Sequence, residues 1–232
     1  MYAFALLLAA GPAAPPPSAE ADLLRRDMDA AITAAKALRI DFEIRNDSPD
    51  KREQVLKGSL ILGDRNRVRF VQAGWLTATA VSDGRRTVTV GPDGRRTRET
   101  PAWFNENLKS WLGRGGTYVS TSKAFDLLDR PHTDRPGPVD GPRVADAKVL
   151  ADEKTSGVKC RVVEYDLTWI EHPAAPAPET VRVRVWIDPE TNLPVRRRMS
   201  VPVGDQADTY TATHTKFELN PKLDDKLFEL PK

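Results

Sequence analysis

The sequence has very little of the chemistry from which disulfides and metal sites are built. It contains one cysteine, Cys160, and three histidines, at positions 132, 172 and 214. One thiol cannot form an internal disulfide, and three scattered imidazoles do not make a zinc cluster. Because Cys160 lies in an apolar stretch, we expect it to be a buried thiol. We therefore expect neither a metal site nor a cofactor.

An excess of charge of one sign is also missing. Thirty-five basic residues oppose 33 acidic ones, for a formal net charge of +2. This balance argues against a nucleic-acid partner. The sequence has no Gly-x-Ser-x-Gly elbow, no His-Glu-x-x-His motif, no dinucleotide fingerprint and no close carboxylate pair of the kind glycosidases use. We therefore expect no catalytic residues and a protein that is not an enzyme.

The sequence has no long apolar run, but a short one lies at the N-terminus. Residues 2–10 are apolar, and the Gly/Ala/Pro-rich stretch after them ends in Ala19-Glu20-Ala21. This run is too short to span a bilayer, and the small residues behind it suit a signal peptidase. We predict a cleaved signal peptide over residues 1–21 and one soluble, exported domain over residues 22–232. No cysteine lies near the predicted cleavage site, so we expect no lipid anchor.

The apolar pattern that follows changes its period several times. Residues 22–38 have the apolar spacing of a helix face, with Asp22 as its cap, and residues 101–112 show the same period. Elsewhere apolar and polar residues alternate, as they do in half-buried strands. Strands are predicted at 40–45, 55–62, 67–73, 76–82, 86–90, after 94, and at 143–150, 158–169, 180–187, 194–203 and 208–219.

Turn residues separate the predicted strands at short intervals. Residues 63–66 suit a tight hairpin, and the Asp-Gly pairs at 83–84 and 93–94 predict type I′ turns. The repeated Asp-Gly-Arg-Arg does not open a helix, so we reject a phosphate-binding loop. The sequence thus predicts an α+β fold: an antiparallel sheet of about ten or eleven strands, which twist forces to curl, with helices on one side.

Arginines are concentrated on two of the late strands. Arg182 and Arg184 alternate with valines, and Arg196, Arg197 and Arg198 follow on the next strand. Charged side chains on the wet face of a half-buried sheet are ordinary. The alternative is a basic patch for lipid headgroups or for an acidic partner.

Several segments in order resemble the periplasmic lipoprotein carrier superfamily, which includes LolA-like and LolB-like proteins and outer-membrane lipoprotein-sorting proteins. The matching segments are the hairpin at 57–62 and 67–70, the turn Ser82-Asp83-Gly84, and the strand and turn at 186–194, Trp-Ile-Asp-Pro-Glu-Thr-Asn-Leu-Pro. The final Leu223–Pro231 is similar to the family's C-terminal end. The resemblance extends over nearly the whole mature chain, with Pro-rich insertions at 131–142 and 172–178.

This resemblance implies a strongly curved half-barrel with helices on its concave face as a lid over an apolar cavity. It also implies an exported, periplasmic carrier or binding module for lipids or the acyl chains of lipoproteins. Such a carrier would be a monomer that exchanges its cargo with membrane-associated proteins. The alternatives are a periplasmic sensor that contacts a membrane protein and, less favoured, a secreted hydrolase. We expect the helix at 103–112 to be the lid. The predicted cavity and lid residues are Phe42, Leu60, Leu62, Phe70, Trp103, Phe104, Leu108, Trp111, Leu112, Tyr165, Leu167, Val183 and Val185.

Overall fold

The structure, a computed structural model, describes residues 17–47, 54–75, 77–92, 94–113, 143–169, 179–203 and 205–231. Two α-helices and eleven strands account for most of these residues. In chain order they are α1 (Pro17–Ala34), β1 (Leu38–Asn46), β2 (Gln54–Leu62), β3 (Arg67–Gly74), β4 (Ala78–Asp83), β5 (Arg86–Gly91), β6 (Gly94–Glu99), α2 (Phe104–Gly113), β7 (Arg143–Thr155), β8 (Val158–Trp169), β9 (Glu179–Ile187), β10 (Pro194–Val203) and β11 (Gln206–Leu219). The predicted short turn at 124–128 and the two Pro-rich insertions lie outside the described residues.

The strands form one open sheet in which almost every strand pairs with its neighbour in sequence. The order is β6-β5-β4-β3-β2-β1-β11-β10-β9-β8-β7. All ten pairings are antiparallel. The pairing of β1 with β11 joins the first half of the meander to the second. This arrangement confirms the predicted α+β fold class.

The sheet is curved around its helical face. Ala80 on β4 and Val149 on β7 contribute to the same hydrophobic cluster, together with side chains from both helices. Eight strand spacings separate β4 from β7, and a flat sheet would hold them about 38 Å apart. Strand twist and the burial of one shared apolar face bring them towards each other. The result is a half-barrel whose concave face carries the helices.

The first helix begins and ends earlier than predicted. Its buried face runs through Ala21, Met28 and Ile32, which are one helix turn or two apart. Asp22 is therefore not the cap. It lies inside α1, where its carboxylate is 3.8 Å from Arg25 Nε.

Leu38 belongs to a strand and not to the helix face to which its spacing assigned it. It opens β1, pairs with Leu62 on β2 and Leu219 on β11, and is completely buried. Ladder hydrogen bonds on both sides and burial against two leucines favour the extended backbone over one more helical residue.

The hairpin turns follow the expected positions but not always the expected type. Arg65 and Asn66 have φ values of 52° and 60°, which is the type I′ pattern at the tip of the β2–β3 hairpin. In the β4–β5 turn only Gly84 has a positive φ, of 95°, so the predicted type I′ turn is wrong and a type II′ pattern takes its place. Asp83 accepts hydrogen bonds from the Arg85 and Arg86 backbone N–H groups, both at 2.8 Å.

The tip of the β2–β3 hairpin also holds the start of α2. Asn66 Nδ2 donates to Ala102 O at 2.7 Å, and Asn66 Oδ1 accepts from the Asn105 N–H at 3.2 Å. Asn105 Nδ2 donates in turn to Gly63 O at 2.6 Å. The first N–H groups of a helix have no partner within the helix. The side chain of Asn66 therefore caps α2 from a distant part of the sequence.

Replacing Asn66 with glycine should separate this capping role from the backbone role. Glycine keeps the positive φ at no steric cost, but it removes both side-chain bonds to the start of α2. Loss of a helix cap costs about 1 kcal/mol, so we expect Asn66→Gly to lower the free energy of unfolding by about that amount in urea titrations. Asn192→Gly is the matched control, since Asn192 has a φ of 56° in the β9–β10 turn. Equal, small effects of the two substitutions would contradict the capping role.

Candidate functional site

The concave face of the sheet is an apolar wall formed by alternate residues of the strands. Eight of the predicted cavity residues lie on it, and all eight are buried in one cluster: Phe42, Leu60, Leu62, Phe70, Tyr165, Leu167, Val183 and Val185. Neighbouring strands place them side by side, because side chains at every second position point to the same face. The structure thus brings together residues that are far apart in the sequence.

Helix α2 packs its apolar side chains onto this wall. Phe104, Leu108 and Leu112 are buried in the same cluster, and Trp103 packs against it just ahead of the helix. The spacing i, i+4 and i+8 places the three buried residues on one face of α2. The side chain of Trp111 lies outside the described part of the chain.

Polar contacts hold α2 at its far end as well as at its start. Lys109 Nζ donates to the carbonyl oxygen of Ala35, just after α1. Gly113 lies against α1 so closely that an added Cβ atom would be 3.1 Å from the Cα atom of Asp29. Burial lowers the pKa of Lys109, although the nearby Glu106 opposes this shift. The short helix is thus attached through a few polar groups and one glycine contact.

A glycine in the wall allows two aromatic rings to lie along the sheet. Phe42 pairs with Gly58 across β1 and β2, and the Phe42 and Phe70 rings are stacked with centroids 6.3 Å apart. A Cβ atom at Gly58 would lie only 2.6 Å from Phe42 Cζ and from Val71 O. The position therefore has no room for a side chain while Phe42 keeps its place.

Polar side chains interrupt the apolar wall at the centre of the sheet. Arg197 on β10 is fully buried, although the sequence analysis grouped it with the outward-facing arginines. That prediction is wrong for Arg197, because alternation along β10 allows only Arg196 and Arg198 to face outward. Met199, buried two residues later on the same face, carried the signal that could have found it.

His214 on β11 is a second buried polar group of the wall. Its Nδ1 atom lies 2.8 Å from Pro194 O. Since a carbonyl only accepts, Nδ1 carries the proton in this bond. Burial, with a smaller contribution from Arg197, lowers the pKa of His214 to about 3. Its imidazole is thus neutral at physiological pH. His132 and His172 lie outside the described ranges.

Tyr165 on β8 is the third such group. Burial raises the pKa of its hydroxyl to about 12, against the weaker effects of Arg197 and Arg25. Asp29 on α1 acts in the same direction as burial. Charged groups of both the wall and α1 therefore affect the pKa of the Tyr165 hydroxyl.

The convex face has a different chemistry, in which arginines are matched with carboxylates. Arg182 makes two hydrogen bonds to Asp166, at 2.9 and 3.3 Å, and Arg184 makes two to Glu164, at 3.0 and 2.6 Å. The pKa of Glu164 is lowered, because hydrogen bonds from Lys148 and Arg184 outweigh the effect of its burial. These cross-strand pairs support the ordinary interpretation of the arginines on β9.

A small apolar cluster lies on the same convex face. Trp186 packs with Cys160 and Val162, and its Nε1 donates to Glu153 at 2.8 Å. The Arg196 guanidinium lies 4.8 Å from the centre of the Trp186 ring, within the range of a cation–π contact. Cys160 is completely buried, as predicted, and burial raises the pKa of its thiol.

The described residues contain neither a metal-binding cluster nor a membrane-spanning helix. They contain no group of three or more His, Cys, Asp or Glu side chains placed to hold a metal ion. Among these same residues, neither helix is long and apolar enough to cross a membrane.

Gly58→Ala should test the close packing of the wall. The added methyl group must displace the Phe42 ring or the β3 backbone, and overpacking of this kind costs about 1–3 kcal/mol. We expect a loss of that size in the free energy of unfolding, measured in urea. Gly91→Ala is the control, since no atom lies within 4 Å of a Cβ built there. A Gly58→Ala protein as stable as Gly91→Ala would show that the wall adapts easily.

The stability of the protein should depend on pH through His214. Between pH 6.5, its ordinary pKa, and its folded pKa of about 3, the unfolded chain binds a proton that the folded chain excludes. The stabilisation is complete above pH 6.5 and falls with pH by about 1.4 kcal/mol per unit. From pH 6.5 to about 5, we expect the wild type to lose about 2 kcal/mol more than His214→Gln in urea unfolding.

Three carboxyl groups also have lowered pKa values in the folded protein: Glu43, Asp83 and Glu164. Their ordinary pKa values are 4.5, 3.8 and 4.5, so they should affect stability only at a lower pH than His214 does. Identical pH profiles for the wild type and His214→Gln would show that His214 titrates normally.

No protein-family model matches the sequence, and the search of curated proteins finds no match. Several solved structures are similar. A LolA superfamily protein from Nitrosomonas europaea is 11% identical with a TM-score of 0.41, over 90% of this chain and 97% of that one. LprF from Mycobacterium bovis is 11% identical with a TM-score of 0.47, over 87% and 94%. The Pseudomonas aeruginosa MucA/MucB complex is 12% identical with a TM-score of 0.39, over 90% and 60%.

At these identities and TM-scores, the similarity carries neither a family nor a cargo nor a partner over to this chain.

Proposed function

We propose that this protein is an exported carrier that holds an apolar chain, such as an acyl group of a lipid or lipoprotein, against the concave wall of its sheet. The observation that carries the proposal is that Phe104, Leu108 and Leu112 of the short helix α2 are buried in the same hydrophobic cluster as the apolar residues of the wall. In this structure the wall is buried beneath the chain's own side chains. Cargo would therefore take the place of α2, which acts as the lid.

The free-energy balance suits a carrier that must also release its cargo. Burying about 15 methylene groups contributes roughly 12 kcal/mol. Exposing three large apolar side chains of α2 costs about 2 kcal/mol each, or roughly 6 kcal/mol. The remainder is reduced further by the entropy lost on binding. Exchange of α2 for an acyl chain would thus be favourable but reversible.

The predicted cavity and lid residues have separate roles in this proposal. The eight wall residues, Phe42 and Phe70 among them, line the face that an acyl chain would contact. Trp103, Phe104, Leu108, Trp111 and Leu112 belong to the lid and to the residue ahead of it. Neither role requires a catalytic group.

Export is part of the proposal, but cleavage after residue 21 would remove contacts of α1. Ala21 is completely buried, and Glu20 forms an ion pair with Arg161 on β8. Cleavage ahead of Pro17 would keep both contacts. The intact mass of the exported protein distinguishes the two sites.

The lid can be tested by locking it to α1. In the double variant Asp29→Cys/Gly113→Cys, the two Cβ atoms would lie close to the 3.5–4.5 Å separation that a disulfide needs, since a Cβ at Gly113 is 3.1 Å from Asp29 Cα. We expect the oxidised double variant to take up a fluorescent fatty-acid probe at least tenfold more slowly than its reduced form. Cys160 can stay, because burial raises its pKa and protects its thiol.

The two single cysteine variants, treated with the same oxidant, are the controls and should take up the probe normally. Equal uptake by the oxidised and reduced double variant would contradict the lid. Failure of the wild type to bind any probe would contradict the carrier itself. Native mass spectrometry of the exported protein would identify its natural ligand. A bound lipid would support the carrier, whereas a bound membrane-protein partner would favour the alternative function as a sensor.

A further inference from the structure

The wall contains a charge that an acyl chain alone does not require. Arg197 is 0% exposed and lies on the concave face, where its strand neighbours are Val185 on β9 and Ala212 on β11. Its Nη2 atom is 3.9 Å from Met28 Sδ of α1. Burial of a charged group costs several kcal/mol unless other groups compensate. Because a hydrophobic residue of similar volume often replaces even a paired buried charge without loss of stability, a wall that served apolar chains only has no need of an arginine at this position.

The groups around Arg197 favour the binding of an anion. Neutral His214 and neutral Tyr165 lie close enough to respond to its charge. The hydroxyl of Tyr165 also responds to Arg25 and Asp29, both on α1. Guanidinium and phenol groups are good donors to carboxylate and phosphate oxygens. If α1 moved away, Met28 and Asp29 would leave with it, whereas Arg197 would stay on the wall because it belongs to β10.

We propose that Arg197 binds the anionic head group, carboxylate or phosphate, of an amphiphile whose tail lies along the concave wall. This inference rests on the carrier function proposed above and narrows its cargo to anionic lipids. From β10 the tail would cross β11, β1 and β2 towards the Phe42–Phe70 pair. Four strand spacings separate β10 from β3, a distance of about 19 Å, which suits a long acyl chain.

Both helices take part in this exchange. Met28 of α1 covers Arg197, and α2 holds α1 through the Gly113–Asp29 contact and the bond from Lys109 to Ala35. Helix α1 also packs on β7 and β8 and is held there by the Glu20–Arg161 ion pair. The exchange therefore requires α1 to move after α2 has been released, and this movement uncovers the guanidinium. The bound anion would replace the neighbours that Arg197 has in the closed protein. Head group and tail would thus be accommodated by the same opening.

The test compares ligands that share a tail but differ in their head. Dodecanoate, dodecyl phosphate and dodecanol are titrated into the wild type, Arg197→Met and Arg198→Met at neutral pH by calorimetry. Arg198 is the matched control, because it is the next residue of β10 and is exposed on the convex face. We expect the wild type and Arg198→Met to bind at least one of the anions about tenfold or more tightly than dodecanol, the range of a charge-assisted hydrogen bond.

Arg197→Met should abolish this preference while still binding dodecanol. Preference for dodecanoate would indicate a fatty acid, and preference for dodecyl phosphate a phospholipid head. Equal affinity of the wild type for all three ligands would overturn the anion site and leave the carrier intact. Absence of binding by all three would instead contradict the carrier.

The comparison within the wild type needs no variant, so the test stands even if Arg197→Met does not fold. A folded Arg197→Met protein that keeps the preference for the anions would also overturn the assignment. Arg197→Lys should retain part of the preference, because lysine keeps the charge but loses the planar fork of donors.

Discussion

The architecture depends on burial of the concave face of a very wide antiparallel sheet. Eleven strands in one open sheet present more apolar surface than twist alone can conceal, and water must be excluded from that surface for the chain to fold. Curvature brings β4 and β7 to the same cluster, and the two helices supply the remaining apolar side chains. The hydrophobic effect therefore determines both the bend of the sheet and the position of the helices. The same surface, once a helix moves aside, is suited to an acyl chain.

Attachment of α2 differs from that of the strands around it. Each interior strand has ladder hydrogen bonds along both edges, whereas α2 is attached through Asn66, Asn105 and Lys109 and through one apolar face. A ten-residue helix is too short to be stable by itself in water. Its position is thus held by packing and by a few polar groups that compete with water. Elements of this kind open at lower free energy than the core strands, which is the physical basis for assigning α2 as the lid.

In the proposed carrier, polar groups within the wall would give it a specificity that apolar contacts cannot give. Burial of a methylene group contributes about the same free energy on any apolar surface, so an apolar wall selects ligands by length and shape. A buried guanidinium discriminates by charge, because a ligand without an anion leaves it poorly compensated. His214 and Tyr165 both lie within reach of the charge of Arg197. On the convex face, Arg182 pairs with Asp166 and Arg184 with Glu164. The two arginine environments thus differ in burial and in chemistry, although they lie on the paired strands β9 and β10.

Sequence alone determined the strand pattern, most hairpin positions, the fold class and the apolar face to which the predicted wall residues belong. These properties are local, since period-two alternation and turn residues act over a few positions. Only the tertiary structure decided that α1 starts at Pro17, that Asn66 caps α2, that Gly58 accommodates Phe42 and that Arg197 points inward. Each of these depends on a contact between residues far apart in the sequence. The three consecutive arginines at 196–198 show the difference most clearly: their composition indicates a wet surface, but the pleat of β10 places the middle one among the buried side chains of the wall.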